Sequence, residues 1–218
     1  MINRYRPLID VKFFSEYDEG TKLMKDSFPS IGVLGGSGVL SCSREYADAF
    51  RLCKELAQNG YNIVTGGGEG IMEAANKGAL EGNSKSYGLN LSGVAQDNPY
   101  VSPGLSKSFY NLSIRKTVMI ENCCLFLFFP GGFGTFDELF EICALIQAEH
   151  MTSLPLFLIE KDFWKEFLRW FCLNIVNKGY AKDALAENFI LIEPQDVLSK
   201  IQALISPSEN LKRDILRH

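Results

Sequence analysis

The feature of this 218-residue sequence that most restricts its fold is the unbroken apolar run at residues 124–129. A strand with apolar residues on both faces has to be buried on both faces, as strands in parallel sheets are. The run ends in the loop Pro130-Gly131-Gly132-Phe133-Gly134-Thr135, and a segment with helical spacing follows it. A buried strand, a glycine-rich turn and a helix in that order predict an α/β fold.

Strands and helices are predicted to alternate along the rest of the chain. Short apolar segments predict the other strands at residues 31–34, 61–65, 86–91, 156–159 and 190–192. Helical spacing predicts one helix from the end of the 66–70 glycine loop to residue 79, and others at 15–28, 43–59, 112–122, 136–148, 163–177 and 196–205. This order predicts a Rossmann-like parallel sheet with right-handed crossovers and helices on both faces.

The length fits one α/β domain with helical additions. Residues 1–29 are predicted to be an N-terminal helical extension, because Pro29 breaks the first helix. Residues 30–206 are predicted to form the Rossmann-like domain, which would contain any ligand site, and residues 207–218 a C-terminal tail.

Composition excludes several classes of function. The net charge of −4 provides no general attraction for nucleic acid or an anionic membrane, so a bound phosphate would need a local site. No apolar run approaches membrane-spanning length, and the N-terminus leads into no apolar signal segment. The six cysteines include no Cys-x-x-Cys pair and are interpreted as reduced, buried residues. The sequence therefore predicts a cytoplasmic protein.

Histidine is scarce in this chain. Only His150 and His218 are present, and nothing beside His150 suggests a nucleophile. No cluster of His, Cys and Asp residues has the spacing of metal ligands. We therefore predict neither a histidine-dependent triad nor a metal site.

Four segments with unusual chemistry lie where predicted helices begin. They are Gly35-Gly36-Ser37-Gly38, Gly66-Gly67-Gly68-Glu69-Gly70, Arg115-Lys116 and the loop that ends in Gly134-Thr135. In an open parallel sheet, ligands bind outside the carboxyl ends of the strands. All four segments should therefore converge on one rim of the sheet.

The loop from Gly131 to Thr135 is the strongest candidate for an anion site. Its glycines allow backbone N–H groups to turn toward an anion, and the helix predicted to start at Thr135 adds its positive dipole end. The alternative interpretation is structural, because Thr135-x-x-Glu138 also matches a capping box.

The remaining segments have two interpretations each. The Gly35–Gly38 turn is a weak match to a dinucleotide fingerprint, since the third glycine position falls on Ser41. The Gly66–Gly70 turn is either a tight strand–helix connection or a substrate contact. Arg115 and Lys116 either neutralise a phosphate or form a solvated surface pair. Trp164 and Trp170 are interpreted as packing residues in preference to base-stacking platforms.

Two carboxylates lie one turn apart on the helix after the glycine loop. Glu138 is the best candidate for carboxylate chemistry, and Glu141 is on the same helix face.

The nine residues from Pro130 to Glu138 resemble the PGGxGTxxE signature of the Lonely Guy (LOG) family. That family comprises cytokinin riboside 5′-monophosphate phosphoribohydrolases and was long described as possible lysine decarboxylases. Further matches are Gly66-Gly67-Gly68-Glu69-Gly70-Ile71-Met72-Glu73-Ala74-Ala75-Asn76-Lys77-Gly78-Ala79, Asn98-Pro99-Tyr100 and Arg115-Lys116. The resemblance covers about residues 30–200.

The resemblance implies hydrolysis of the N-glycosidic bond of a purine nucleoside 5′-monophosphate, cytokinin or adenosine, without a cofactor. Arg115 and Glu138 occupy the catalytic positions, and Lys116 matches a substrate contact. The implied phosphate loop comprises Gly131, Gly132, Gly134 and Thr135, and further candidate contacts are Gly36, Ser37, Gly67, Asn98 and Glu141. Family members are homodimers or larger homo-oligomers with sites near the subunit interface.

Two other classes of function remain open at this point. The phosphate loop alone would also suit a non-catalytic carrier of a nucleotide or cofactor on the same fold. The N-terminal extension would suit a scaffold or interaction protein. Nothing in the sequence identifies the base.

Overall fold

The structure, a computed structural model, describes residues 13–94 and 98–205. Residues 1–12 of the predicted extension, residues 95–97 of the loop before β4, and the end of the chain from residue 206, including the predicted tail, lie outside the described residues.

The described part of the chain contains seven strands and eight α-helices, which alternate except where β4 follows β3 and α7 follows α6. The strands are β1 (Ser30–Leu34), β2 (Asn62–Thr65), β3 (Ser86–Leu91), β4 (Ser106–Phe109), β5 (Leu125–Phe128), β6 (Leu156–Ile159) and β7 (Phe189–Ile192). The helices are α1 (Phe13–Met24), α2 (Arg44–Gln58), α3 (Ile71–Glu81), α4 (Leu112–Asn122), α5 (Phe133–Gln147), α6 (Lys161–Phe171), α7 (Asp183–Glu187) and α8 (Val197–Ile205).

The strands form one parallel sheet in the order β4-β3-β2-β1-β5-β6-β7. The chain therefore builds one half of the sheet outward from β1 and the other half outward from β5. The direction of winding reverses between these two neighbours, and that reversal is where open α/β sheets bind ligands. The predicted Rossmann-like α/β fold is confirmed.

Both faces of the sheet are covered, as the apolar β5 run predicts. Phe126 and Phe128 pack with residues of α4, α5 and α6 on one face, whereas Leu125 and Leu127 pack with residues of α2, α3 and α8 on the other. Successive residues of a strand point to opposite faces of the sheet, and helices cover both faces, so all four side chains are buried.

Strand β4 is absent from the sequence-based prediction, which placed only a loop between β3 and the helix at residues 112–122. Its sequence, Ser-Lys-Ser-Phe, is mostly polar and lies at the edge of the sheet, where only Phe109 is buried. Such a strand has no hydrophobic pattern to reveal it, and hydrogen bonds to β3 define it instead.

Helix α7 was not predicted, and several helix boundaries differ from the prediction, three of them by three residues or more. Helix α1 ends at Met24, four residues early, since the Ser27 N–H bonds back to the Met24 carbonyl and Pro29 disfavours helix at the residue before it. Helix α5 begins at Phe133. Helix α6 ends at Phe171 and continues as a π-helical turn to Val176. Within the described ranges, no helix is long and apolar enough to cross a membrane.

Candidate active site

The glycine loops after β1, β2 and β5 meet at the reversal point of the sheet. The Gly36 N–H donates to the Pro130 carbonyl (2.9 Å), which joins the first loop to the third. The Ile71 N–H donates to the Gly36 carbonyl (3.1 Å), which joins the second loop to the first. Gly70 adopts φ +65°, and a Cβ there would collide with the carbonyl oxygens of Gly36 and Ser37. The loops approach this closely because they lack side chains.

The amino terminus of α5 lies at the centre of this junction. Its N-cap is Gly132, so the first helical N–H groups belong to Phe133, Gly134 and Thr135. The space beside the α-carbons of Gly132 and Gly134 is open, with no atom within 4 Å of a Cβ at either position. Unpaired N–H groups at a helix start, together with the helix dipole, form a site for an anion.

The capping-box interpretation of Thr135 and Glu138 is wrong. Because α5 begins at Phe133, Thr135 occupies the third helical position and is not the cap. The Thr135 side chain is buried against Gly131, where a Cβ would collide with its hydroxyl. Glu138, one turn further on, bonds to a side chain of another helix.

Arg115 and Glu138 form a largely buried ion pair beside this helix start. The distance from Arg115 Nη2 to Glu138 Oε1 is 3.2 Å, and the two side chains are 13% and 11% exposed. Arg115 also donates from Nε to the Leu89 carbonyl at the end of β3 (2.8 Å), and its guanidinium lies against Gly66. The fork of the guanidinium therefore connects the β3 rim to α5.

The pKa of the Glu138 carboxyl is raised toward neutrality. Burial raises its pKa to about 7, because desolvation disfavours the charged form. Arg115 and Lys116 oppose that effect, whereas Asp137 and Glu141 add to it. A carboxyl with a pKa near 7 can both hold and release a proton under physiological conditions.

Lys116 also contacts α5, through two carboxylates other than Glu138. Its Nζ lies 2.9 Å from Asp137 Oδ2 and 2.6 Å from Glu141 Oε2, and the residue is only 9% exposed. Burial lowers the pKa of Lys116, but the bonds to the two carboxylates outweigh it, so the net pKa is raised. The ammonium is therefore charged and held between two carboxylates that flank Glu138.

A buried polar network supports the second glycine loop. Asn76 is fully buried, accepts from the Thr65 hydroxyl (2.6 Å) and donates to the Ser86 hydroxyl (2.7 Å). Asn98 donates to Asn76 Oδ1 (2.8 Å) and to the Gly68 carbonyl (3.0 Å). The Gly67 N–H donates to the Thr65 hydroxyl (2.9 Å). Asn98 and Gly67 thus shape the loop, and their contact with substrate stays a prediction.

The structure brings the predicted site residues together to different degrees. Arg115 pairs with Glu138 on α5, and the loop before α5 bonds to Gly36, while Lys116 pairs with Glu141 as well as with Asp137. Sequence reasoning missed Asp137, whose only signal is its position beside Glu138. Trp164 is a packing residue, as predicted, since it is fully buried and donates to the Phe128 carbonyl.

Trp170 is about half exposed on α6. Within residues 13–94 and 98–205, no group of three or more His, Cys, Asp or Glu side chains is arranged to hold a metal ion.

Comparisons with known proteins give relatives of one family. A family model described as "Possible lysine decarboxylase" matches residues 72–201. An Arabidopsis thaliana protein named "Probable cytokinin riboside 5′-monophosphate phosphoribohydrolase LOG6" is 28% identical over 164 residues, 74% of this chain and 81% of that protein. The cytokinin riboside 5′-monophosphate phosphoribohydrolase LOG5 of the same plant is 26% identical over 188 residues, 84% of this chain and 81% of that protein.

The fold also resembles that of a solved protein whose name describes a different role. The molybdenum cofactor binding protein from the phototrophic bacterium Rippkaea orientalis superimposes with a TM-score of 0.57 at 21% identity, over 82% of this chain and 98% of that one. This likeness concerns the fold. Because the family model spans more than half of the chain and includes both Arg115 and Glu138, the chain belongs to the family described as possible lysine decarboxylases, the LOG family.

Proposed function

We propose that this protein hydrolyses the N-glycosidic bond of a purine nucleoside 5′-monophosphate, releasing the free base and ribose 5-phosphate. The observation that supports this most is the buried Arg115–Glu138 pair beside the amino terminus of α5. The helix start would provide an anion site for the phosphate, and the same helix contains a carboxyl with a pKa of about 7. The names of the Arabidopsis relatives support the same reaction.

The 5′-phosphate would bind the N–H groups of Phe133, Gly134 and Thr135 at the helix start. Phosphate binding supplies energy that fixes the position of the ribose, although the phosphate is remote from the bond that breaks. Arg115, which spans from the Leu89 carbonyl to Glu138, would orient the ribose between the phosphate and the carboxylate. The substrate would therefore lie along the rim of the sheet, with the sugar over Glu138.

Glu138 would act in its ionised form. The bond from the anomeric carbon to the base nitrogen breaks, and its electron pair leaves with the base. The positive charge that develops on the ribose ring is stabilised by the carboxylate. A water molecule bonds to the anomeric carbon and loses a proton to Glu138, which passes it to the departing base or to solvent.

Lysine decarboxylation has less support from the site. That reaction needs an electron sink such as pyridoxal phosphate, held as a Schiff base on a lysine that can lose its proton. Lys116 contacts α5 beside Glu138, and its pKa is raised by Asp137 and Glu141. A lysine held in the charged form is a poor nucleophile.

The direct test is a product assay. The protein is incubated with AMP and with isopentenyladenosine 5′-monophosphate, and free base is measured by chromatography. We expect release of base from at least one nucleotide and its loss in Glu138→Gln. Intact nucleotide binding without cleavage of any common nucleoside monophosphate would contradict the proposal.

A carrier of a phosphate-bearing cofactor is the second candidate, because the α5 amino terminus could hold such a ligand without any chemistry at Glu138. The fold shared with the Rippkaea orientalis molybdenum cofactor binding protein favours this candidate. The two candidates differ in one measurement: a carrier has no turnover, and Glu138→Gln changes only its affinity, and only modestly.

We also propose a homodimer or a larger homo-oligomer, located in the cytoplasm. Large apolar side chains are exposed on α5 and α6, since Phe133 is 97% exposed and Phe140 and Phe163 are each 42% exposed. A second copy of the chain would remove such a surface from water. Light scattering should report a mass of at least two chains, and Phe140→Asp should lower it; a monomeric wild-type protein would contradict the expectation.

A further inference from the structure

The N-terminal helix α1 contacts the helix that contains Arg115. The buried residues of α1 are Glu16, Gly20 and Met24, which recur every four positions and form one stripe. Met24 packs in the same core cluster as Phe109 and Val118. Gly20 lies so close to α4 and β4 that a Cβ there would be 2.8 Å from Val118 Cγ2.

Glu16 is the exception in this stripe, because it is charged and only 5% exposed. Its Oε1 accepts from the Tyr110 N–H (2.7 Å) and its Oε2 accepts from the Asn111 N–H (3.2 Å). Asn111 is the N-cap of α4, so the carboxylate lies at the positive end of that helix. Burial of a charge is costly without such partners, and here the two N–H groups and the end of α4 offset that cost.

Two hydrogen bonds connect Glu16 to the catalytic pair. Glu16 Oε2 accepts from the Asn111 N–H, and the Asn111 carbonyl accepts from the Arg115 N–H (3.1 Å). The Asn111 side chain also accepts from Ser113 and Ile114, so the whole first turn of α4 depends on the placement of Asn111. Arg115 then reaches Glu138 from that turn.

We infer that Glu16 is a positioning residue of the active site, which fixes the first turn of α4 and thereby the guanidinium of Arg115 opposite Glu138. This inference rests on the proposed function and assigns to α1 a role in catalysis without contact between α1 and a reacting atom. Helix α1 would contribute by fixing the geometry of the Arg115–Glu138 pair. The spacing of that pair sets both the orientation of the ribose and the ionisation of Glu138.

The test compares Glu16→Gln with Glu19→Gln in the full chain. Glu19 is a matched control, because it is also an α1 carboxylate but is exposed and pairs with Lys107 of β4. In wild type, the Glu16 carboxylate accepts from two backbone N–H groups. In Glu16→Gln, the side-chain NH2 would face one of these N–H groups, and that hydrogen bond would be lost because both groups are donors. We expect kcat to fall about tenfold or more in Glu16→Gln, as it does when catalytic groups are misplaced, and to stay near wild type in Glu19→Gln.

The pH profile separates positioning from a loss of stability. The charged groups that act on Glu138 are Arg115 and Lys116 from α4, and Asp137 and Glu141 from α5. If Arg115 is displaced, the pKa of Glu138 rises, so the acid limb of kcat should move to higher pH in Glu16→Gln. A loss of activity that only follows a lower melting temperature, with the acid limb unmoved, would overturn the inference.

Two additions keep the test decisive. Gly20→Ala should push α1 away from Val118 and move the acid limb of kcat to higher pH as well. This variant replaces Glu16→Gln in the test if Glu16→Gln does not fold. Hydrogen exchange across residues 110–115 needs no substrate and should be faster in Glu16→Gln than in Glu19→Gln. If the wild-type protein cleaves no nucleotide, the proposed function fails, and unchanged exchange would overturn the positioning role separately.

Discussion

Replacement of Arg115 by Met should move the pH dependence of base release toward alkaline pH. The substitution removes the guanidinium charge 3.2 Å from Glu138 and keeps an apolar stem of similar length. Without that cation, the ionised carboxylate is less stable, so the pKa of Glu138 rises from about 7. More alkaline solution is then needed to form the active carboxylate.

The size of the effect follows from the geometry of the pair. Two unit charges about 4 Å apart attract by about 4 kcal/mol at an effective dielectric constant of about 20, which corresponds to at most about 3 pKa units. Neighbouring opposite charges commonly shift a carboxyl by about 1–3 units. At pH 7, the ionised fraction of Glu138 should therefore fall by about fivefold for a shift of one unit and about 500-fold for three.

The assay is the initial rate of base release at saturating substrate, measured from about pH 5 to about pH 9. The substrate phosphate also titrates near pH 6, but it contributes equally to both proteins. Arg169→Met is the control, because Arg169 is a surface arginine of α6 whose side chain is 73% exposed. A lower maximal rate at alkaline pH in Arg115→Met would indicate that contact with the ribose is lost. An acid limb at the same pH in Arg115→Met and wild type would refute the electrostatic reasoning.

Two further predictions concern stability and phosphate binding. The raised pKa of Glu138 means that the folded state retains its proton between about pH 4.5 and pH 7 while the unfolded chain loses it, so stability from this group falls by about 3 kcal/mol as pH rises through that range. Glu138→Gln should therefore unfold at higher urea concentration than wild type at pH 8 and at a similar one at pH 4.5; equal midpoints at pH 8 would contradict the burial effect. Gly131→Ala should weaken AMP binding by about tenfold or more in titration calorimetry, because its Cβ would displace the Thr135 side chain at the helix start. Gly38→Ala, whose Cβ would meet open space, is the control, and equal affinities of the two variants would argue against the loop as the phosphate site.

Much of the fold could be predicted because its main signals are local. The apolar strands, the amphipathic helices and the glycine turns each show in a few consecutive residues, and their order determines a parallel sheet. The signals failed where no local pattern exists. Strand β4 is polar and defined by its pairing with β3, and α5 begins at Phe133 because Gly132 supplies a cap that has no side chain.

The candidate site divides in the same way. The sequence by itself determined the glycine loops, the carboxylate at position 138 and the family resemblance, because each lies within one short segment. Only the tertiary structure decided which charges meet: Arg115 pairs with Glu138 across 23 positions, and Glu16 reaches Asn111 across 95. Burial raises the pKa of Glu138 and the neighbouring charges move it in both directions, and these effects depend on how α4, α5 and the sheet pack together. The interaction energy between two charges depends on their distance and on their exposure to solvent, and neither quantity can be read from the order of residues along a chain.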